Sequence, residues 1–230
     1  MSGACPVGIC DGSGFVVDED TRSAAPCRCR PQLISRRKAR TLSAVIPRKY
    51  KDVSFDRNPV AQMPEPVVRQ IRGYIRGLDD NLAGGRGLWL FGEVGTGKTT
   101  LAMLVAKAAL EAGHSVAIYS MPRLLNEIRR TYDEGSDSSY IQLLDRLAEV
   151  DLLHVDDVGA EKSSPWVLEQ LYAIVNARYE AQRSMTITTN LTHDALVEQI
   201  GHRTVSRLVE MCEQLPLLGS DHRPVLEHSA

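Results

Sequence analysis

Three groups of residues have types and spacings that can do chemistry. The first is Gly92-Glu93-Val94-Gly95-Thr96-Gly97-Lys98-Thr99, a complete G-x-x-x-x-G-K-[ST] phosphate loop, followed by Thr100. Glycines let backbone N–H groups turn inward on phosphate oxygens, and the N-terminus of a following helix adds positive potential. In such a loop Lys98 reaches the terminal phosphates and the Thr99 hydroxyl is a ligand for Mg²⁺. The second group is Asp156-Asp157, directly after the apolar run Leu152-Leu153-His154-Val155. Two acids there cannot both face a core. At the carboxyl end of a parallel strand they sit where ligands bind in open α/β sheets. Asp156 is expected on the Mg²⁺ side, and Asp157 is placed to orient or deprotonate water. His154 reads as a packed residue.

The third group is Cys5, Cys10, Cys27 and Cys29, four of the five cysteines, within the first 29 residues. Two disulfides crowded into one end are not expected in a reducing compartment. Thiolates around a metal can fold a segment too small to build a core, and four of them close the coordination sphere. The expectation is a structural Zn²⁺ site, with Pro6, Gly8, Gly12 and Gly14 supplying turns. The spacing is C-x4-C, sixteen residues, then C-x-C, which departs from the usual paired C-x2-C.

Strands and helices alternate around these residues, as a parallel sheet requires. Gly87 to Phe91 reads as the buried strand before the phosphate loop, and Thr100 to Ala112 as the helix after it. Ser115 to Ser120 is a second strand; Pro122 to Tyr132 and Tyr140 to Val150 are amphipathic helices, with the polar loop Glu134 to Ser139 between them. Ser164-Pro165 opens another helix with an N-cap and an N1 proline. Ser184 to Asn190 is a strand with a polar tip, and Thr192 caps a short helix to Ile200. Pro64 to Asp80 has the helical period throughout and reads as one docking helix. Cys212 is placed as a buried thiol on an amphipathic helix. Tyr50 and Phe55 are open to two readings, packing over a nucleotide base or packing on the domain edge. Asn190 is likewise either a phosphate-sensing amide or a turn residue.

Bulk charge says little about partners, because 27 basic residues face 29 acidic ones. Distribution says more: between Arg28 and Arg57 there are ten Lys or Arg and two acids. That stretch is either a solvated linker or a surface for nucleic acid or an acidic partner. The sequence has no transmembrane-length apolar run and no apolar signal region, so a cytoplasmic protein without membrane association is expected.

From about Pro47 to Val225 the chain resembles the DnaC/DnaI-type replicative helicase loaders, a branch of the AAA+ ATPases. The residues that carry the resemblance are Gly92 to Thr99, Leu152 to Gly159, Thr188-Thr189-Asn190, Arg203-x-x-x-Arg207-Leu208 and Gly219-Ser220-Asp221-His222-Arg223. The four cysteines with Gly12-Ser13-Gly14 resemble the zinc segment of the DnaI kind. The resemblance implies an α/β fold, an AAA+ P-loop NTPase with a parallel five-stranded sheet and a reduced lid, preceded by the zinc-binding segment. The domains are then 1–34 for helicase docking, 35–60 as basic linker and 61–230 as the ATPase.

It also implies roles. Gly92, Glu93, Val94, Gly95, Thr96, Gly97, Lys98, Thr99 and Thr100 bind ATP, with Asp156 and Thr99 on Mg²⁺. Asp157 stands in for the usual base, Asn190 is the first sensor, Arg207 is the arginine finger acting on a neighbouring subunit, and Arg223 is the second sensor. If Arg207 is not the finger, Arg203 and Arg178 are the next choices. The helices from Pro122 to Val150 correspond to the insertion that lines a single-stranded DNA channel, with Arg123, Arg129, Arg130, Ser163, Ser164 and Trp166 as contacts. Implied partners are the hexameric replicative helicase, single-stranded DNA and further copies through the ATP sites.

Two departures matter. The acid pair is Asp-Asp where many AAA+ motors have Asp-Glu, and the shorter side chain fits a slow ATPase stimulated by assembly or single-stranded DNA. The 40 residues after Asn190 are few for a helical lid, so ready nucleotide exchange is expected. The alternatives are an IstB-like transposition helper ATPase, against which the cysteine segment argues, and a non-hydrolysing adaptor, against which the sensor and finger residues argue.

Overall fold

The computed structural model describes residues 5, 7–18, 23–30, 33, 46–133 and 137–218. Within residues 5–33, an antiparallel hairpin joins β1 (Phe15–Asp18) to β2 (Ser23–Pro26), with Phe15 opposite Pro26. That register delivers Cys27 beside Gly14, and the Cys27 N–H donates to the Gly14 carbonyl at 2.9 Å.

The remaining elements build one α/β unit. In chain order they are α1 (Glu65–Arg76), α2 (Leu78–Ala83), β3 (Gly87–Gly92), α3 (Lys98–Glu111), β4 (Val116–Ser120), α4 (Met121–Asp133) and α5 (Asp137–Glu149). They continue with β5 (Leu152–Asp156), α6 (Pro165–Glu180), β6 (Ser184–Thr189), α7 (His193–Ile200), α8 (His202–Met211) and β7 (Cys212–Leu217). The five strands β3 to β7 form one parallel sheet in the order β4-β5-β6-β3-β7.

Both faces of this sheet are covered, so β3 and β4 are apolar at nearly every position, whereas β6 alternates Met185 and Ile187 with buried Ser and Thr. Successive side chains alternate between two cores. Leu88, Leu90, Val116, Ile118, Leu152, Leu215 and Leu217 pack with α1, α2 and α3 on one face. Trp89, Ala117, Tyr119, Leu153, Val155, Met185 and Ile187 pack with α4 to α8 on the other. The alternation has a consequence for chemistry. His154 and Asp156 share the Leu152 face, and Thr186 and Thr188 lie opposite them on β6.

Two expectations are corrected here. The helical run from Pro64 breaks at Gly77, which leaves the helical conformation (φ −96°, ψ 25°). The freed Tyr74 carbonyl there accepts from the Asn81 side chain at 3.0 Å. Periodicity continued across the break because both helices pack on the same core. Cys212 is buried as expected but opens β7, directly after α8 ends at Met211. This edge strand tolerates Pro216, whose missing N–H needs no ladder partner. The N-cap at Ser164 is present, its side chain accepting from the Val167 N–H at 3.3 Å, and Thr192 caps α7 in the same way through Ala195.

Candidate functional site

β3 runs between β6 and β7, while the chain leaving it crosses to β4 at the far edge. Such a reversal opens a crevice at the carboxyl ends of the strands, and the phosphate loop lies there. Gly95 and Gly97 adopt φ of 84° and 90°, a region where a side chain would be strained. A Cβ on Gly97 would also fall 2.0 Å from the Met63 methyl. Gly97 then caps α3, and Lys98 begins it. The Lys98 ammonium donates to the carbonyls of Gly92 (2.9 Å) and Glu93 (2.6 Å), across the mouth of the loop. Thr96 Oγ1 closes the turn on the Glu93 carbonyl at 2.9 Å.

The two acids take different conformations. Asp156 ends β5, and its Oδ1 accepts from Thr99 Oγ1 (2.9 Å) and Thr188 Oγ1 (2.7 Å). Burial works against its ionisation, yet the His154 imidazole, Thr188 and Thr99 together hold the carboxyl below the ordinary carboxylate range. His154 is fully buried, with Nδ1 3.1 Å from the Thr186 carbonyl and Nε2 3.6 Å from Asp156 Oδ1. It is a packed residue, as expected, and also a neighbour of the acid. Asp157 takes φ 57°, and its N–H donates to Thr188 Oγ1 at 2.8 Å. That turn directs the chain away from the strand and sets Asp157 on the wall of a cavity of about 310 Å³. Gly95, Gly97, Lys98, Thr99, Thr100 and Asn190 line the same cavity. Lys49, Tyr50 and Pro59 complete it, a wall that the sequence suggested only through Tyr50. Phe55 instead packs under the Arg72 guanidinium, 4.3 Å away, against the α1–α3 core.

A family model described as IstB-like ATP binding protein matches residues 37–225. The chain belongs to this family. The replicative helicase loader DnaC of Escherichia coli strain K12 is 30% identical to this IstB-like chain over 143 residues, 62% of the chain and 56% of that protein. A crystal structure of the DnaC helicase loader superposes with a TM-score of 0.65 at 28% identity, covering 74% of this chain and 99% of the other. The crystal structure of DnaI matches at TM-score 0.58 and 20% identity over 81% and 100% of the two chains, a likeness of fold. The chain spans between 52% and 73% of the length of the first curated relatives it matches. The AAA+ architecture expected from the resemblance, with its five-stranded parallel sheet, is present.

Other candidates of this IstB-like chain are spread over the molecule. Arg207 lies on α8 outside the cavity lining, with its guanidinium 4.8 Å from the Tyr172 ring and 5.4 Å from the Tyr179 ring. Arg203 is exposed on the same helix. Arg178, the remaining arginine named as a possible finger, is corrected: it is fully buried and bonds carbonyls of Leu147, Val150, Asp151 and Ser184. It clamps the end of α5 to the starts of β5 and β6, and burial lowers its pKa to about 9. Arg223, the Gly219–Arg223 motif and the Arg36–Arg40 basic run lie outside the described residues.

The proposed DNA-channel helices do bring an arginine to an aromatic. Arg129 sits 4.9 Å over the Trp166 ring, and Tyr132 stacks on Tyr140 at 5.5 Å and meets Trp166 at 6.4 Å. Arg123, Arg130 and Ser163 are exposed nearby in sequence, whereas the Ser164 hydroxyl is engaged as the helix cap. Both tyrosines went unread as site residues, because each also fits an amphipathic helix.

Cys5, Cys10, Cys27 and Cys29 converge, their four Sγ atoms all within 4.8 Å of one another. Cys5 and Cys27 are 4.0 Å apart and Cys10 and Cys29 3.5 Å, and none forms a disulfide. Tetrahedral Zn–S bonds of about 2.3 Å require S···S separations of about 3.8 Å, so this donor set fits that ion. The backbone N–H of Cys10 is the chief reason the Cys5 thiol is lowered to about 6, while burial pushes Cys29 up. Among the described residues no helix is long and apolar enough to cross a membrane.

Proposed function

We propose that this chain is an ATP-dependent loader of the replicative DNA helicase, working in the cytoplasm during replication initiation or restart. The observation that carries the reading is the joined phosphate loop and acid: Thr99 Oγ1 donates to Asp156 Oδ1 at 2.9 Å, on a fold that matches nearly the whole of the DnaC structure. In this reading Lys98 and the loop N–H groups hold the β- and γ-phosphates, and Thr99 with Asp156 holds Mg²⁺. Bound there, the ion would neutralise charge developing on the phosphates. Asp157 takes the attacking water's proton or orients it, with its backbone fixed by Thr188. Asn190 senses the γ-phosphate, Arg207 reaches a neighbouring subunit's nucleotide, and Arg223 is the second sensor. Tyr50 packs beside the base. The hydrolysis is slow and rises with assembly or single-stranded DNA.

Residues 1–34 are the helicase-docking segment, held by Zn²⁺ on Cys5, Cys10, Cys27 and Cys29. The end of the expected 35–60 linker joins the 61–230 ATPase, since Lys49, Tyr50 and Pro59 line its cavity and Val53 and Val60 are buried in its core. Arg123, Arg129, Arg130, Ser163 and Trp166 take single-stranded DNA, where a cation beside an aromatic platform suits sequence-independent stacking. The family description keeps one other reading in play, an IstB-like helper acting with a transposase on duplex DNA.

Co-purification with the replicative helicase, with and without ATP, tests the proposal. Capture of the helicase by the intact chain, lost in Cys10→Ser with Cys27→Ser, is expected. Duplex binding with no helicase capture would turn the assignment to the transposition helper. Replacing Asp157 with Asn should leave ATP affinity unchanged while turnover drops about 10²-fold or more. Wild-type turnover in that variant would take Asp157 out of the water path.

A further inference from the structure

Tyr172 and Tyr179 lie seven residues apart on α6, two helical turns, so their Cα atoms are separated by about 10.5 Å along one face. Arg207 reaches this face from α8, and its guanidinium carbon lies 4.8 Å from one ring centroid and 5.4 Å from the other. A planar cation placed between two rings at these distances is attracted by both. The Tyr179 hydroxyl donates to Glu210 Oε2 at 2.6 Å, which ties the second ring back to α8 three residues beyond Arg207. Within this arrangement Nη1 of Arg207 is buried and has no hydrogen-bond acceptor. A buried guanidinium N–H without a partner is costly, and rings supply no lone pair to satisfy it.

We propose that Tyr172 and Tyr179 are positioning residues that hold Arg207 in the conformation in which it engages the nucleotide of a second copy of this chain. The inference rests on the reading of Arg207 as a finger acting between subunits. An unsupported arginine has four side-chain torsions to fix when subunits meet. The two rings fix the guanidinium beforehand, so less freedom is lost on assembly. Nη1 is enclosed in this arrangement, so the partner's phosphate oxygen is met by the other guanidinium N–H groups.

The test compares Arg207→Ala, Arg207→Lys, Tyr172→Leu with Tyr179→Leu, and Tyr172→Phe in the full-length protein. ATP hydrolysis is followed against protein concentration, with nucleotide affinity and melting temperature recorded in parallel. Arg207→Ala should lose the assembly-dependent rise in turnover. The double leucine variant should lose about tenfold of that rise, with ATP affinity and melting temperature near wild type. Tyr172→Phe keeps the ring and should keep the rise, whereas Arg207→Lys keeps charge without a planar face and should fall with the leucine variant. Mixing the leucine variant with Lys98→Ala protein, which retains Arg207 and both rings, should restore turnover at the leucine variant's sites. Loss in Arg207→Ala with full stimulation in the leucine variant overturns the cradle alone. Full stimulation in Arg207→Ala overturns the finger reading beneath it. If the double variant melts early, the single Tyr172→Leu substitution carries the same comparison, and its full stimulation likewise overturns the cradle.

Discussion

The cysteine segment and the α/β domain hold themselves together by different means. Among the described residues of 5–33, only Gly14, Cys27 and Cys29 are buried, while Val7, Ile9 and Val17 stay exposed. Four thiols and a short hairpin give that segment its shape. In the α/β domain two apolar cores sandwich a five-stranded sheet, and even a cation, Arg178, is accommodated inside because backbone carbonyls surround it. The first region lacks the apolar area to offset its ordering entropy and is expected to depend on an ion. The second carries its own core and is expected to use ions only for its chemistry.

Removing the metal is the strongest way to break that contrast. A structural Zn²⁺ in a small site supplies about 10–16 kcal/mol of apparent binding energy, effectively all of the folding energy there. Chelation, or Cys10→Ser with Cys27→Ser, should abolish amide protection in residues 5–33 and leave the melting of the α/β domain in place. Metal analysis should return about one Zn per untreated chain. A protected hairpin in metal-free protein would erase the distinction. Arg178→Met probes the other side. It leaves the carbonyls of Leu147, Val150 and Ser184 without their donor, a loss of about 3–5 kcal/mol, read as a lower midpoint in urea. A variant as stable as wild type would show that the clamp is dispensable and that the cores alone suffice.

Legibility in the sequence followed the same division. The phosphate loop, the acid pair and the cysteines were readable because each is a local pattern whose chemistry needs fixed spacing. β3 and β4 were readable because burial on both faces makes them near-continuous apolar runs. Long-range partnerships were not. Thr188 bonds both Asp156 Oδ1 and the Asp157 N–H, yet in sequence it is one threonine among several in a strand. Arg178 reads from the sequence as a possible finger, and only the packing of α6 against α5 and β6 reveals its carbonyl acceptors. Tyr172 and Tyr179 belong to a helix whose period accounts for them without Arg207. The break at Gly77 stayed hidden because apolar spacing continued on both sides of it.

A smaller effect should sharpen the contrast from the nucleotide side. ATP with Mg²⁺ at a hundredfold excess over its dissociation constant adds about 2.7 kcal/mol to whichever unit binds it. For a domain of this size the α/β transition should rise by roughly 5–10 °C, while protection in the cysteine segment is unchanged. Lys98→Ala should cancel the rise by removing the phosphate contact. A nucleotide-dependent shift that survives this substitution would place the binding energy outside the phosphate loop.

The smallest expected effect concerns how the α/β domain is closed at the end of the sheet away from the cleft. His114 Nε2 lies 2.7 Å from Asp79 Oδ1 on α2, and Nδ1 lies 3.8 Å from Asp151 Oδ2 before β5. Asp151 also accepts from the Ser115 N–H (2.9 Å) and hydroxyl (2.8 Å) and from Arg183 (3.1 Å). Asp151 chiefly, with Asp79, raises the His114 pKa above its ordinary value, against the effect of burial. A histidine raised on folding stabilises fully below its unfolded value of about 6.5, and that contribution fades as pH rises through the folded value. Because Asp79 is exposed, the contribution should stay below about 1 kcal/mol and shrink in salt. Melting temperatures of wild type and His114→Gln, measured from about pH 6 to about pH 9, should therefore differ most at the acidic end and converge as pH rises. A difference that persists undiminished to the alkaline end would mean that the imidazole acts there through packing, with its charge irrelevant to the join.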